Sequence, residues 1–424
     1  MVELTQLVQA LAEGRMQGLD PELLQRSWER PLSTDPLLLE PRPEPLIGQL
    51  FARLAVGQPT FLGNPAWSER EQQLAREMTA TVPGDRPWIG IPTGGTSGRL
   101  RFAVHTPDTL TAAVEGLQTV DWLGNRLDSW CTLPLFHVSG LMQLWRSLHS
   151  GCRFRWQAYK ELEGAIASGE PLPDAAGYAI SLVPTQLQRL LPQGVDWLRR
   201  CRVIFLGGAP AWPTLLTRAR DLDLPLAPCY GMSETAAMVT LLAPQAFRAG
   251  AEGVGPPLPH VTLTLDPAGA LALRSPALAL GYWEAPGQLE PLAPEGQPFR
   301  SDDWGEWTPA GLRLWGRASD KILSGGENVW AGEVEAQIRA TGLVTDVVVL
   351  GVPDADWGQR VAAVVVLASG VQLPELQAAL RSRLASYKCP KQWLCLTTLP
   401  RNAQGKLSRQ VLTLMIRPAS AGSG

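Results

Sequence analysis

The sequence contains few of the residues that bind zinc or form disulfides. Its 424 residues include 4 histidines and 6 cysteines, and no two cysteines form a Cys-x-x-Cys pair. A structural zinc site usually needs four cysteine or histidine ligands. A chain of this length can also bury a sizeable core without a disulfide framework. The composition therefore argues against a zinc-stabilised protein and against a disulfide-rich secreted protein.

Long apolar runs and an excess of one charge are also missing. No apolar run reaches the ~18–20 residues of a membrane-spanning helix, and the N-terminal segment lacks the basic start and apolar core of a signal peptide. The 37 basic and 40 acidic residues give a net charge of −3, without a basic patch for nucleic acid. We therefore expect a cytoplasmic protein with no membrane span and no nucleic-acid partner. A homo-oligomer is left open.

The arrangement of apolar segments predicts an α/β protein. Between residues 86 and 240, short apolar strands alternate with helix-like stretches, which indicates a sheet with many parallel strands. The predicted strands are PWIGIP, DSWCTLPLF, GYAISLVP and CRVIFLGG. Residues 260–315 differ, because VTLTLD, ALALRS and GLRLWG are typical of short antiparallel strands.

The last hundred residues are predicted to form a smaller α+β unit. TDVVVLGVPD and RVAAVVVLAS indicate two strands, and LPELQAALRSRLASYK indicates an amphipathic helix that ends before Pro390. We expect a boundary near Arg317–Asp320, which gives a large domain of residues 1–318 and a small domain of residues 319–416. Residues 417–424 (small and polar) are expected to be a disordered tail.

A glycine-rich segment, IPTGGTSGRLR, follows a predicted strand. Its backbone N–H groups and hydroxyls can face an anion such as phosphate, and its arginine adds a fixed positive charge. The candidate residues are Thr93, Gly94, Gly95, Thr96, Ser97, Gly98 and Arg101. A flexible surface loop is the alternative, and the segment is not a Walker A loop, since G-x-x-x-x-G-K-[ST] is absent.

A second motif combines FLGGAP with CYGMSETA further along the chain. With the first motif it resembles the adenylate-forming enzymes, which include acyl-CoA ligases, luciferases and peptide-synthetase adenylation domains. Their phosphate loop reads approximately T-S-G-T-T-G-x-P-K, where this sequence has Gly94 for Ser, Ser97 for Thr, Leu100 for Pro and Arg101 for Lys. Their Y-G-x-[ST]-E motif is matched at every specified position by Tyr230, Gly231, Ser233 and Glu234.

The resemblance implies a role for each residue of this second motif. Tyr230 would stack on adenine, Ser233 would bind the α-phosphate, and Glu234 would hold Mg²⁺, which prefers oxygen ligands. Gly207, Gly208 and Ala209 would leave room for the base against the backbone. A buried tyrosine near a serine-capped helix is the alternative.

Three further motifs resemble those of the same superfamily, in the same order. In RSDDWGEW, Asp303 would bind the ribose hydroxyls, and Arg317 in LWGR would contact the ribose or phosphate. Ser319 lies at the family's hinge, and Gly325 and Gly326 in SGGEN permit positive φ. In PRNAQGKLSR, Lys406 would be the mobile catalytic lysine.

Two segments resemble the o-succinylbenzoate–CoA ligase branch in particular, namely SGGEN and LPLFHVSGLMQLWRSL. In the second segment, the resemblance implies that His137, Ser139 and Arg146 bind the acid. An arginine offers a bidentate partner for the carboxylate that does not react. From helical spacing alone, Leu141, Leu144, Trp145 and Leu148 form the core face, and Arg146 would point to solvent.

Together these patterns predict a large N-terminal α/β domain of mixed, mostly parallel sheets, with a β-barrel-like part, and a small mobile C-terminal α+β domain. The implied activity is ligation of o-succinylbenzoate to coenzyme A in menaquinone or phylloquinone synthesis, with ATP, Mg²⁺ (on Glu234) and coenzyme A. Another aryl or short- or medium-chain acid, loading of a carrier-protein thiol, and an inactive nucleotide-binding homologue are the alternatives.

Overall fold

The computed structural model describes residues 3–94, 100–354, 356–400 and 409–416. The helices are α1 Leu4–Ala12, α2 Pro21–Glu29, α3 Pro43–Ala55, α4 Glu69–Thr79, α5 Pro107–Gln118, α6 Val138–His149, α7 Tyr159–Ser168, α8 Pro184–Leu190, α9 Val195–Arg200, α10 Pro213–Asp221, α11 Pro244–Arg248, α12 Ala331–Ala340, α13 Leu373–Arg381 and α14 Arg409–Ile416. The strands are β1 Met16–Gln17, β2 Leu37–Leu38, β3 Thr60–Leu62, β4 Ile89–Gly94, β5 Leu100–His105, β6 Asp128–Cys131, β7 Phe154–Trp156, β8 Tyr178–Leu182, β9 Val203–Leu206, β10 Leu226–Met232, β11 Ala237–Leu241, β12 Thr262–Leu265, β13 Ala270–Arg274, β14 Gly281–Ala285, β15 Gln288–Pro291, β16 Phe299–Thr308, β17 Gly311–Arg317, β18 Lys321–Ser324, β19 Glu327–Trp330, β20 Val344–Asp354, β21 Gly358–Leu367 and β22 Gln392–Cys395. The predicted tail, residues 417–424, lies outside the described residues.

A seven-stranded sheet lies at the centre of the large domain, in the order β1-β7-β6-β8-β9-β10-β11. All neighbours in it are parallel except β10 and β11. Three of the predicted strands, in DSWCTLPLF, GYAISLVP and CRVIFLGG, are its members β6, β8 and β9. Because parallel strands end at the same edge, the residues that follow β9 and end β10 lie side by side.

The fourth predicted strand, PWIGIP, belongs to a second, mixed sheet in the order β15-β14-β5-β4-β3-β2. β4 pairs in parallel with β3 and antiparallel with β5, so the glycine-rich segment joins two strands of a hairpin. One apolar cluster contains Ile91 of this sheet, Leu110 of α5, Leu144 of α6 and Phe154 of the central sheet. Helices α5 and α6 therefore pack into the core that both sheets share.

The predicted antiparallel strands of residues 260–315 are present as β12, β13 and β17. With β16 they form a four-stranded antiparallel sheet, β12-β13-β16-β17, where a β-barrel-like part was expected. This sheet carries Asp303 and Arg317 on paired strands. The large domain therefore combines three sheets, which confirms the predicted mixed α/β class.

The smaller C-terminal domain is an α+β unit, as predicted. Its sheet has the order β19-β18-β21-β20, with β22 added to β21. Gly325 and Gly326 form a two-residue hairpin turn with φ of +60° and +85°, values that a glycine adopts without strain. The two glycines of SGGEN thus have the backbone conformation that the sequence predicted.

One predicted boundary in this domain is wrong. The helix of LPELQAALRSRLASYK ends at Arg381, not near Lys388. After Arg381 the hydrogen bonds change: the N–H groups of Arg383 and Lys388 each donate to the carbonyl three residues earlier. Leu384 is buried in the domain core, so packing holds this segment in turns although its composition favours a helix.

The structure bears on two expectations from composition, one about membrane-spanning helices and one about disulfide bonds. No helix within the described ranges is both long enough and apolar enough to cross a membrane. The six cysteines, all of them described, are free thiols.

Candidate active site

Described residues from three of the motifs meet at the carboxyl end of the central sheet. Gly207 directly follows β9, and Tyr230 lies near the end of the neighbouring strand β10. The third sheet brings Asp303 of β16 and Arg317 of β17 to the same place. Open α/β sheets commonly bind ligands at this edge.

The first group of side chains consists of Tyr230, Asp303 and Arg317. The Tyr230 hydroxyl donates a hydrogen bond to Asp303 Oδ2 at 2.7 Å. Arg317 Nε donates to the other oxygen, Oδ1, at 3.2 Å. Burial and the Asp303 charge both raise the pKa of Tyr230 well above its usual value, so the phenol stays protonated and donates. Three predicted nucleotide-binding residues thus form one hydrogen-bonded unit.

The second group surrounds Glu234, which is buried. Tyr282 donates from its hydroxyl to Glu234 Oε1 at 2.7 Å, and Arg101 Nη2 lies 3.7 Å from the same oxygen. The Arg101 guanidinium carbon lies 4.0 Å from the centre of the Tyr282 ring, and its Nε donates to Thr93 Oγ1 at 3.0 Å. The structure therefore joins the predicted Thr93, Arg101 and Glu234 through Tyr282, which the motifs did not identify.

The short turn Ser233–Thr235 presents Glu234, and it is followed by two strained residues. Ala236 and Ala237 have φ of +48° and +82°, a region that residues with a Cβ seldom occupy. The Thr235 hydroxyl donates to the Ala237 carbonyl at 2.7 Å and accepts from the Met232 N–H at 3.1 Å. These bonds hold the backbone in a conformation that its own preferences disfavour.

His105 supports the same turn from β5, and sequence reasoning missed it. Its Nε2 lies 2.7 Å from the Ser233 carbonyl, so Nε2 carries the proton and donates. Its Nδ1 lies 2.9 Å from Thr109 Oγ1. Burial lowers the pKa of His105 to about 4, which keeps the imidazole neutral. No motif contains His105; a lone histidine at a strand end gives no recognisable signal in a single sequence.

Gly207 has a packing reason for lacking a side chain. A Cβ at this position would lie 2.9 Å from Cys229 Sγ, on the neighbouring strand. Gly208 has a φ of +76°, and Gly208 and Ala209 are exposed at the sheet edge. Gly207 therefore permits close pairing of β9 with β10. The adenine-binding role of Gly207, Gly208 and Ala209 stays a prediction.

Arg146 does not point to solvent, so the alternative drawn from helical spacing is wrong. It is 4% exposed, because α6 is enclosed on nearly all sides. Its Nη2 donates to Ser129 Oγ at 2.8 Å, and its guanidinium carbon lies 5.7 Å from the centre of the Phe205 ring. Phe205 lies on β9 two residues before Gly207, which puts Arg146 beneath the strand that leads to the site.

The other two acid-binding candidates lie at the start of α6. His137 precedes the helix and is half-buried, with its ring 4.5 Å from that of Phe136. Ser139 is exposed in the first turn. It lies about 10 Å from Arg146 along the helix axis, at 1.5 Å per residue, so the structure does not bring these two side chains together.

Several predicted site residues lie outside the described residues. They are Gly95, Thr96, Ser97, Gly98 and Lys406. Gly94 is described as the last residue of β4, where it pairs with Leu100 of β5. The predicted roles of the phosphate loop and of the catalytic lysine therefore stay predictions.

Glu234 fits the requirements of Mg²⁺ in a nucleotide site. Mg²⁺ is commonly held by one or two carboxylates together with substrate phosphates and water. Oε1 of Glu234 accepts from Tyr282, and within the described residues nothing donates to Oε2. Those residues contain no group of three or more side chains that could hold a metal without a substrate. A single oriented carboxylate with one oxygen left open by the described residues is the kind of ligand that Mg²⁺ takes together with substrate phosphates.

Comparisons with known proteins agree with this geometry. Residues 41–283 match the family model of the AMP-binding enzymes, and residues 333–406 match that of the AMP-binding enzyme C-terminal domain. The chain is 32% identical over 392 residues to the 2-succinylbenzoate–CoA ligase of Salmonella typhimurium, covering 92% of this chain and 82% of the relative. It is also 32% identical over 327 residues to the 2-succinylbenzoate–CoA ligase of Listeria monocytogenes, and the match covers 76% of this chain and 68% of the relative.

The fold of this chain is also similar to that of a solved structure. It is a variant of Escherichia coli MenE with bound OSB-AMS, which matches with a TM-score of 0.79 and 26% identity, over 98% of this chain and 99% of the other. The chain belongs to the AMP-binding enzyme family, the class that the sheet architecture and the Tyr230–Glu234 motif define.

Proposed function

We propose that this protein is an ATP-dependent 2-succinylbenzoate–CoA ligase of menaquinone or phylloquinone biosynthesis, acting in the cytoplasm. The family supports acid activation through an acyl-adenylate. The observation that carries the choice of acid is the buried cation of Arg146. It has a serine hydroxyl as partner, and among the described residues no carboxylate neutralises it.

A buried, unpaired guanidinium is energetically costly. Burial lowers the pKa of Arg146 to about 10, which shows that its surroundings disfavour the charge, yet it stays protonated at neutral pH. Leaving one such charge without its partner typically destabilises a protein by about 3–5 kcal/mol. Ser129 is in register with Ala179 and, through it, with Val203, four residues before Gly207. A dicarboxylate that extends beneath the sheet from the carboxyl edge, so that its second carboxylate reaches Arg146, would remove this cost on binding. A simple aryl or fatty acid offers no such group.

The first half-reaction is adenylation, in which the reacting carboxylate attacks the α-phosphorus of ATP and pyrophosphate leaves. The carboxylate is already ionised at neutral pH, so no general base is needed. Tyr230, Asp303 and Arg317 would hold the adenosine, and Arg101 would offset charge on the phosphates. Mg²⁺ bound at Glu234 would add positive charge at the phosphates. Rate enhancement would come from positioning and charge stabilisation.

The second half-reaction transfers the acyl group to the thiol of coenzyme A, and AMP leaves. We propose that the small domain, residues 319–416, turns about Ser319 relative to residues 1–318 between the two steps. Lys406 would stabilise the adenylation transition state and withdraw in this turn. Ser319 Oγ donates to Asp302 Oδ2, a hydrogen bond that spans the proposed boundary and supports a hinge there.

The competing functions use the same adenylation chemistry with another acid or another thiol. A different acid would make Arg146 unnecessary, and a carrier-protein thiol would replace coenzyme A without changing adenylation. A homo-oligomer is compatible with all of them. The residues retained around Glu234 and Asp303 argue against an inactive homologue.

The test of the acid assignment replaces Arg146. In Arg146→Met, the KM for 2-succinylbenzoate in the ATP- and CoA-dependent thioester assay should rise roughly 10–100-fold, the loss expected for a charge-assisted contact. Benzoate, if it reacts at all, should be used equally by both proteins. Arg381→Gln, an exposed change at the end of α13, is the matched control for loss of a positive charge.

The melting temperature of Arg146→Met should be equal to or above that of the wild type, because the variant no longer buries a charge. An unchanged KM for 2-succinylbenzoate in a folded Arg146→Met protein would rule out the dicarboxylate assignment. Acid activation itself would remain intact in that case.

A further inference from the structure

Four arginines line a cavity of about 430 Å³ on the surface of the large domain. They are Arg15, Arg126, Arg153 and Arg202, and Asp128 is the acidic residue among them. The rest of the lining is glycine. Four guanidinium groups around one cavity are unexpected in a chain whose net charge is −3.

The fold of the central sheet explains why these residues meet. Arg15, Arg153 and Arg202 each directly precede a strand, β1, β7 and β9, and Asp128 begins β6. These strands are parallel and close together in the sheet, so their amino ends share one edge. Gly207 lies at the other edge, five residues after Arg202, which is roughly 16 Å at 3.3 Å per residue. The cavity is therefore separate from the nucleotide site.

Two of the four arginines are neutralised by carboxylates. Arg153 Nη2 lies 2.7 Å from Asp128 Oδ2, and Arg15 Nε lies 2.6 Å from Glu13 Oε2. Arg202 donates to the backbone carbonyls of Arg126 at 2.9 Å and of Leu123. Neither Arg202 nor the exposed Arg126 has a carboxylate partner among the described residues. The cavity thus keeps two positive charges without counterions.

The lining also limits the type of ligand. Its described residues include no aromatic or aliphatic side chain on which a base or an acyl chain could pack. Guanidinium groups form bidentate hydrogen bonds with the oxygens of phosphate groups. We propose that this cavity is a second anion site, which binds a small oxyanion of the phosphate class with at least two negative charges.

The experiment titrates pyrophosphate, and separately inorganic phosphate, into the full-length protein by calorimetry, with the nucleotide site saturated by AMP. AMP leaves the pyrophosphate end of the nucleotide site open, so the wild type should bind a second equivalent of each anion beyond the one that this end can take. The cavity should bind pyrophosphate more tightly than phosphate because pyrophosphate carries more charge. Affinity should fall as salt is raised, since these charges are partly exposed. Arg126→Gln should weaken the binding of the second equivalent roughly tenfold, and Arg126→Glu should abolish that equivalent.

Arg381→Glu is the control, because it makes the same charge change far from the cavity. It should bind both anions as the wild type does, and Arg126→Glu should keep wild-type ATP-dependent activity. Thermal melting of the variants verifies that they are folded. The proposal is overturned if AMP-saturated protein binds no second equivalent of either anion, or if folded Arg126→Gln and Arg126→Glu bind the second equivalent as tightly as the wild type.

Discussion

Single side chains outside the motifs hold the candidate site in place. The carboxylate of Glu234 is oriented by Tyr282, and the turn that carries it is tied to β5 by His105. Arg101 in turn stacks on the Tyr282 ring. At this scale, the groups that would touch ATP are held by neighbours that belong to none of the motifs.

The role of Tyr282 leads to a prediction for Tyr282→Phe. Without the hydroxyl, Glu234 loses the bond that orients it, and changes of this kind beside a metal ligand typically cost 10–100-fold in metal affinity or activity. We expect the Mg²⁺ concentration that half-saturates adenylation to rise by roughly tenfold. Mn²⁺ binding in the presence of ATP, followed by electron paramagnetic resonance, should weaken in parallel.

The matched control is Tyr178→Phe, which removes a hydroxyl that donates to Gln17 Oε1 at 2.8 Å on the central sheet. This variant should keep the Mg²⁺ dependence of the wild type. Equal Mg²⁺ dependence in Tyr282→Phe and Tyr178→Phe would contradict the role of Tyr282.

Buried His105 should make the stability of the protein fall in acid. Its folded pKa, about 4, lies below the value of about 6.5 in an unfolded chain, so the unfolded chain takes up the proton first. Stability is therefore lost as pH falls from 6.5 towards 4. Between pH 7.5 and 5 this group should lower the free energy of unfolding by about 2 kcal/mol.

The measurement is urea unfolding of the wild type and His105→Gln at both pH values. Glutamine does not titrate in this range. The free energy of unfolding of the wild type should therefore fall by about 2 kcal/mol relative to that of His105→Gln between pH 7.5 and pH 5. If the stability of His105→Gln has the same pH dependence as the wild type, His105 is not buried in its neutral form.

At the scale of elements, the β10–β11 hairpin shows what a local motif can and cannot reveal. A Cβ on Gly231 would lie 1.7 Å from the Ala237 carbonyl oxygen, where the register between the strands shifts. The motif identifies Gly231, and the tight approach of the two strands explains why glycine is needed.

Gly231→Ala should therefore separate β10 from β11 and displace Tyr230 and Ser233. We expect at least a tenfold rise in the KM for ATP, since misplacement of a site by ~1 Å can cost 10²-fold. Gly164→Ala is the control, because Gly164 lies in α7 and a Cβ added there would have nothing within 4 Å outside its own helix and chain neighbours. Wild-type ATP kinetics in Gly231→Ala would show that the hairpin does not position the site.

The sequence predicted the elements and motif residues better than the contacts between them. β6, β8 and β9 could be predicted because each is a short apolar run between turn signals. Tyr282 could not, since it lies on β14 of the second sheet, and its partner Glu234 lies 48 residues earlier in the turn after β10. Only the packing of the two sheets brings them together. The end of α13 was missed for a related reason: tertiary packing of Leu384, not local propensity, decides it.

For the whole molecule, the two half-reactions should respond differently to the loss of Lys406. Lys406→Ala should slow adenylation by ~10²–10³-fold, the usual effect of removing an electrostatic stabiliser. Thioester formation from a supplied acyl-adenylate should be affected much less, because Lys406 would have withdrawn by then. Rapid-quench measurement of each half-reaction tests this, and an equal loss in both would refute the assigned role.

Release of pyrophosphate tests the central claim most directly. The wild-type protein, given ATP, Mg²⁺ and 2-succinylbenzoate without coenzyme A, should release about one pyrophosphate per site in a rapid burst and retain the acyl-adenylate. Addition of coenzyme A should start steady turnover with AMP and the thioester as products. No pyrophosphate with 2-succinylbenzoate or any other carboxylic acid in a panel would contradict acid activation by this protein.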